Sequence, residues 1–173
     1  MRLPKNKQIL VQRVKKIFSQ FEKGNYTFSF ESFILKYPTS PLLHSLREYN
    51  GEKLVIFYCN SSCWTLLTDN QLIWCKQDLI STLSYDEVAD ADIIPYELLN
   101  KSSITKLYIA CLNGDIYRVP IETGGPLYAF MKILGTIPTF FKHDLDKIEQ
   151  CRLLLKKRIA DDKKKHVIVT DNN

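Results

Sequence analysis

The sequence predicts an α+β chain: a small antiparallel β-barrel or sandwich capped by a C-terminal helix, with an extra N-terminal amphipathic helix and a final C-terminal helix. Three stretches carry that prediction. Trp64-Thr65-Leu66-Leu67-Thr68 and Gln71-Leu72-Ile73-Trp74 flank Asp69-Asn70, two apolar strands around a tight turn. Leu107 to Leu112 and Asp115 to Val119 flank Asn113-Gly114, which supplies the positive φ values of a two-residue type I′ hairpin turn. Behind them, Gly124-Gly125-Pro126 frees the chain to enter a helix that sets Leu127, Phe130, Met131, Leu134 and Ile137 at helical spacing.

The remaining elements follow in chain order. From Lys5 to Lys23 the apolar positions Ile9, Leu10, Val14, Ile17, Phe18 and Phe21 recur at intervals of three and four between basic residues, one amphipathic helix closed by Gly24-Asn25. The aromatic-rich stretch from Tyr26 to Tyr37 is compatible with an extended or a helical path. Pro38-Thr39-Ser40-Pro41 punctuates the chain, and Leu42 to Tyr49 reads as a short helix ended by Asn50-Gly51. Lys53 to Cys59 is β-branched and aromatic, a buried strand; Leu79 to Tyr85 is a further strand, leading into the acidic run Asp86 to Asp92. Ile93 to Leu99 is ambiguous because Pro95 favours an edge or a loop. Pro138 stops the capping helix, and a last helix runs from Asp144 to about Ile159 with acids at its start and Lys156, Lys157 and Arg158 at its end. The organisation expected is one domain: residues 1–50 as a helical extension packing on the core, 51–137 as the β-domain with its capping helix, 138–160 as an additional helix, and 161–173 as a mobile tail.

With 173 residues, 45% of them hydrophobic and 25% charged, the chain has the composition of an ordinary globular domain, which excludes wholesale disorder. The net charge of +5 is unevenly spread. Residues 1–24 hold seven basic side chains and one acidic, and residues 142–173 hold nine basic and six acidic, whereas residues 25–141 hold eight basic and twelve acidic. Basic ends of this kind can track nucleic acid or an anionic membrane, although a solvated helix face is the commoner reason for them. No run approaches the ~20 apolar residues of a membrane-spanning helix, and the N-terminus lacks the apolar stretch of a signal peptide. Five dispersed cysteines, an odd number, make a poor disulfide framework. A protein of the reducing cytoplasm is the expectation.

The run Leu67 to Trp74, then Ile80 to Val88 with Ser84-Tyr85-Asp86-Glu87-Val88, then Leu107 to Tyr117 around Asn113-Gly114, resembles bacterial pleckstrin-homology-like domains. The resemblance covers about residues 53–137. It implies a partly open barrel plugged by a helix and a recognition scaffold in place of a catalyst. Some small bacterial proteins with comparable folds act as immunity or antitoxin partners, so the resemblance also implies a cognate toxin as one possible partner. Phosphoinositide binding is not implied: it calls for Lys and Arg near the first hairpin loop, where this chain has Asp69-Asn70, and an acidic turn repels phosphate.

Candidate chemistry is sparse. Cys59 and Cys63 form a Cys-x3-Cys pair, but His44, His143 and His166 have no metal-ligand spacing, and the thiols read as core or loop residues. Nothing in the sequence supplies Cys63 with a base and an oxyanion donor. The cluster Asp86, Glu87, Asp90 and Asp92 lacks the glycine and spacing of a calcium loop. It reads as a solvated acidic surface that could engage a basic partner. Gly124-Gly125 has no following Lys-Ser/Thr and is read as a hinge, not a nucleotide loop. Trp64, Trp74, Tyr108, Tyr117 and Tyr128 are read as core and rim aromatics. The expectation is therefore a non-catalytic protein-binding module with no cofactor or metal. Its contacts would be Asp86, Glu87, Asp90 and Asp92 together with Lys15 and Lys16 on the N-terminal helix. The alternative is a nucleic-acid or anionic-membrane binder acting through the basic terminal helices.

Overall fold

The computed structural model describes residues 4–21, 24–94, 103–141 and 143–170. These residues form α1 (Pro4–Gln20), β1 (Thr27–Ser29), α2 (Phe30–Lys36), α3 (Pro41–Leu46), β2 (Lys53–Asn60), β3 (Cys63–Thr68), β4 (Gln71–Lys76), β5 (Leu79–Ser84), β6 (Val88–Ile93), β7 (Ile104–Cys111), β8 (Ile116–Glu122), α4 (Gly125–Thr136) and α5 (Leu145–Thr170). Short 3-10 turns occupy Tyr85–Glu87 and Ile137–Phe140.

The strands make two antiparallel sheets, β1-β2-β3-β4-β5 and β6-β7-β8, which do not close into the expected barrel. The physical reason lies in their outer faces. Along β3 and β4, Trp64, Leu66, Ile73 and Cys75 pack outward with Phe33 of α2 and Leu42 and Leu46 of α3. Their neighbours Leu67, Leu72 and Trp74 pack inward. In the smaller sheet Ala89, Tyr108 and Ala110 face outward onto Cys151, Leu155 and Ile159 of α5, while Leu107, Ile109, Val119 and Ile121 face inward. A sheet covered on both faces is apolar on both faces, so its strands read as continuous hydrophobic runs. Layers of this kind need no closure to bury their surface.

The main core lies between the sheets and is completed by two helices. From α4 it receives Leu127, Ala129, Phe130, Ile133 and Leu134, and from α1 Leu10, Val14 and Ile17. Each such aliphatic side chain contributes about 1.5–3 kcal/mol by leaving water. The Thr65 hydroxyl donates to the Pro120 carbonyl at 2.6 Å, which joins β3 of one sheet to β8 of the other.

Several local expectations change. The undecided Tyr26–Tyr37 stretch splits into β1 and α2, because the Ser29 hydroxyl accepts from the Ser32 amide and caps the helix. The short helix expected over Leu42–Tyr49 occupies Pro41–Leu46, with Pro41 in its first turn. The acidic run after Tyr85, read as a solvated surface, is a 3-10 turn followed by β6, in which Asp90 and Asp92 are half-buried. The final helix continues past Ile159 to Thr170, where a mobile tail was expected. The ambiguity at Pro95 to Leu99 lies outside the described residues. The Asn113-Gly114 turn is not type I′: Gly114 alone has positive φ, at 93°, and the Cys111 amide donates to the Asp115 carbonyl across a three-residue loop. The type I′ geometry sits instead at Gln77 and Asp78, φ 53° and 64°, between β4 and β5.

Candidate partner-binding surface

The side chains expected to bind a partner are distributed over three places. Asp86 and Glu87 stand at the C-terminal end of β5, both exposed. Glu87 is held there because its carboxylate accepts the Ser84 amide at 3.2 Å, half of a capping box around the 3-10 turn. Asp90 and Asp92 are half-buried on β6, opposite Ala110 and Tyr108, on the side covered by α5. A register irregularity between Val88 and Asp90 puts Ala89 and Asp90 together on that outer side. There the Asp90 carboxylate pairs with the Arg152 guanidinium of α5 at 3.0 Å. Asp92 accepts the amide of Ile93 at 2.8 Å. The four acids therefore do not form one patch. Asp86 is the member left without a partner among the described residues.

Lys15 and Lys16 are exposed on α1. Lys15 pairs with Glu52 at 3.2 Å, on the rim of a half-open groove of about 580 Å³ whose walls include Phe18, Phe21, Leu54 and Val55. Arg13 lies over the Phe140 ring, 5.8 Å from its centroid. Lys7 reaches Asp69 at 2.5 Å, and Asp69 is only 2% exposed. The acid of that hairpin turn is thus not open to solvent: Lys7 of α1 pairs with it, while Asn70 beside it is exposed.

The feature hidden from sequence reasoning is the outer edge of β5, which has no ladder partner among the described residues. This strand pairs with β4 and ends the five-stranded sheet. Its residues Leu-Ile-Ser-Thr-Leu-Ser include no charge and no proline, and Leu79 and Ile80 are 74% and 48% exposed. Leu83 turns into the core. Natural sheets normally blunt such an edge with lysine, proline, a bulge or a covering segment. The other three edges are managed in these ways. β1 is three residues long, runs directly into α2 and is pinned by Glu122. The Glu122 carboxylate, 4% exposed, accepts from the Asn25 amide at 2.5 Å, the Tyr26 amide at 3.1 Å and the Thr27 hydroxyl at 2.7 Å. β6 carries a register irregularity between Val88 and Asp90 and two acids, and β8 carries Arg118 and Pro120.

Among the described residues no group of three or more His, Cys, Asp or Glu side chains converges as metal ligands would. Cys59 lies at the irregularity between Tyr58 and Asn60, next to Cys63 across the hairpin. Burial pushes the Cys63 thiol up, with Cys59 adding to the effect, which opposes nucleophilic behaviour. Burial also raises Cys75, and holds Cys111 at about 12. The candidate aromatics are packing groups: Trp64 is buried under α2 and α3, and Trp74 meets Tyr117 edge-on at 5.4 Å.

No family model, curated protein or solved structure matches the chain.

Proposed function

We propose that the protein is a non-catalytic intracellular binding module of pleckstrin-homology-like type that docks a partner protein, an immunity or antitoxin pairing being one specialisation. The observation that carries this reading is the β5 edge: six uncharged residues, open on one side, with two large apolar side chains in water and two acids at the end. An edge that could be blunted by one lysine and is not is a surface kept for pairing. Antiparallel strands followed by a helix packed in the core are the part of the implied arrangement that the fold shares, whereas its two sheets do not close into the partly open barrel. The alternative, a nucleic-acid or membrane surface on α1, has less support because Lys7, Arg13 and Lys15 are engaged within the chain.

The test is site-specific photo-crosslinking in the native host. A benzophenone amino acid at Ile80 should trap a discrete polypeptide that the same group at Lys36, on α2, does not. Identical adduct patterns at the two positions, or none at Ile80, would refute the reading.

A further inference from the structure

The chemistry of the β5 edge defines what it binds. We infer that this edge takes an extended, uncharged peptide segment with a basic residue at its N-terminal end, added antiparallel to β5 as a sixth strand. The inference rests on the reading of the protein as a binding module and specifies the occupant.

Backbone geometry comes first. The side of β5 away from β4 has no ladder partner among the described residues, so its amides and carbonyls are open to another strand. Every pairing in this sheet is antiparallel, and antiparallel ladders are slightly the more stable per residue, so the occupant runs against β5. Side chains set its composition. Leu79 and Ile80 are exposed on opposite faces of the strand, so both faces offer an apolar contact, while Ser81, Thr82 and Ser84 offer hydroxyls. None of these groups satisfies a charge buried within the added strand.

Electrostatics sets its direction. At the N-terminal end of β5, Lys76 and Asp78 balance each other in charge, and Asp78 accepts the Ser62 hydroxyl at 2.6 Å. At the C-terminal end Asp86 and Glu87 stand with no basic neighbour in the adjoining turn. An antiparallel strand brings its N-terminal residues to that acidic end. A lysine or arginine preceding the apolar stretch is therefore complemented, and a carboxylate there is repelled.

The probe is a capped synthetic peptide of five alternating valines and threonines preceded by two lysines, titrated into the intact, isotope-labelled protein. Amide shift changes and new exchange protection centred on Leu79–Ser84 are expected. Affinity should fall at least about tenfold with Thr82→Lys, which charges an exposed edge position, and several-fold with Asp86→Lys. A peptide led by two glutamates should bind at least about tenfold more weakly. Both variants alter exposed residues, and their amide spectra report whether the fold is retained. Shift changes centred on the α1 groove, equal binding of the two peptides, or no binding at millimolar peptide would overturn the strand-addition inference. Each would leave the crosslinking result at Ile80 to decide the binding-module reading separately. Concentration-dependent dimerisation abolished by Thr82→Lys would assign the edge to a second copy of the chain and overturn the peptide occupant.

Discussion

Asp162 is the point at which α5 is fastened to the smaller sheet, and Asp162→Ala should release it. The carboxylate is 8% exposed, accepts the Tyr108 hydroxyl at 3.0 Å, and pairs with Arg118 at 2.5 Å and with Arg158 at 4.0 Å. Removing it leaves the Tyr108 hydroxyl, on a residue 1% exposed, with no acceptor, at a cost of about 1–3 kcal/mol. The lost Arg118 pair adds about 1 kcal/mol, discounted because that guanidinium is partly in water. The sum, about 2–4 kcal/mol, corresponds to a Tm fall of about 5–15 °C for a chain of this size. Urea unfolding followed by far-ultraviolet dichroism gives the magnitude, and amide exchange along α5 gives the location. Tyr108→Phe supplies the control. Once the hydroxyl is gone, Asp162→Ala should cost at least about 1 kcal/mol less than in the native chain. A pH dependence follows as well. Burial pushes the Asp162 carboxyl up, but the Tyr108 hydroxyl and the Arg118 and Arg158 charges outweigh it and hold the group below its ordinary 3.8. A carboxyl depressed in the folded state stabilises that state above its unfolded value, and the contribution disappears as pH falls through the folded value. The native chain should therefore lose more stability than Asp162→Ala on acidification below 3.8. Additive effects of the two substitutions, or a change under about 0.5 kcal/mol for Asp162→Ala, would refute the reasoning.

Three further outcomes are expected. Gly24→Ala places a Cβ against the Glu122 carboxylate and displaces it from the Asn25 and Tyr26 amides, so chemical denaturation should show a loss of about 1–3 kcal/mol; an unchanged midpoint would show that the carboxylate is free to move. Thr65→Val keeps the shape but removes the hydroxyl that joins the sheets, and thermal unfolding should reveal a loss of about 1–3 kcal/mol, whereas Ser81→Val on the β5 edge should be nearly neutral. In the native protein, alkylation by iodoacetamide read by mass spectrometry should modify Cys59 and Cys63 before Cys75, Cys111 and Cys151, which are buried; early labelling of Cys111, whose thiol burial holds at about 12, would contradict its placement.

What could be read from the residues alone was local. The α1 spacing of Leu10, Val14 and Ile17 follows from 3.6 residues per turn, and all three lie in the main core. The hairpin around Asp69-Asn70 is where turn chemistry placed it, since Thr68 accepts the Asn70 and Gln71 amides through its own hydroxyl. Turn type was less accessible. Asn-Gly at 113–114 favours type I′, but the Asn113 side chain accepts the Asp115 amide at 3.0 Å and stabilises the longer loop. Gln77-Asp78 adopts the positive φ values although neither residue advertises them. Closure was not legible at all. Whether the described strands make a barrel or two covered sheets depends on where α2, α3 and α5 land, and that is decided by contacts such as Phe33 with Tyr58 and Asp162 with Tyr108, which are distant in sequence.

The candidate surface shows the same division. Charge could be counted along the chain, and the acids at 86, 87, 90 and 92 looked like one cluster because they are close in sequence. The chain leaves one sheet at Ser84 and enters the other at Val88, so the cluster is cut between them. Asp90 goes to Arg152, whereas Asp86 stays beside β5. Conversely, Leu79-Ile80-Ser81-Thr82-Leu83-Ser84 carries no chemical motif, and its edge position appears only once β4 is its one ladder partner among the described residues. Free hydrogen-bonding capacity is a property of pairing, not of residue type, which explains why a sequence can show where strands are and not which strand is last. The β5 edge is made by that topological position: the strand is uncharged and has β4 as its one ladder partner among the described residues, and Asp86 stands at its end because the chain turns there and not two residues later.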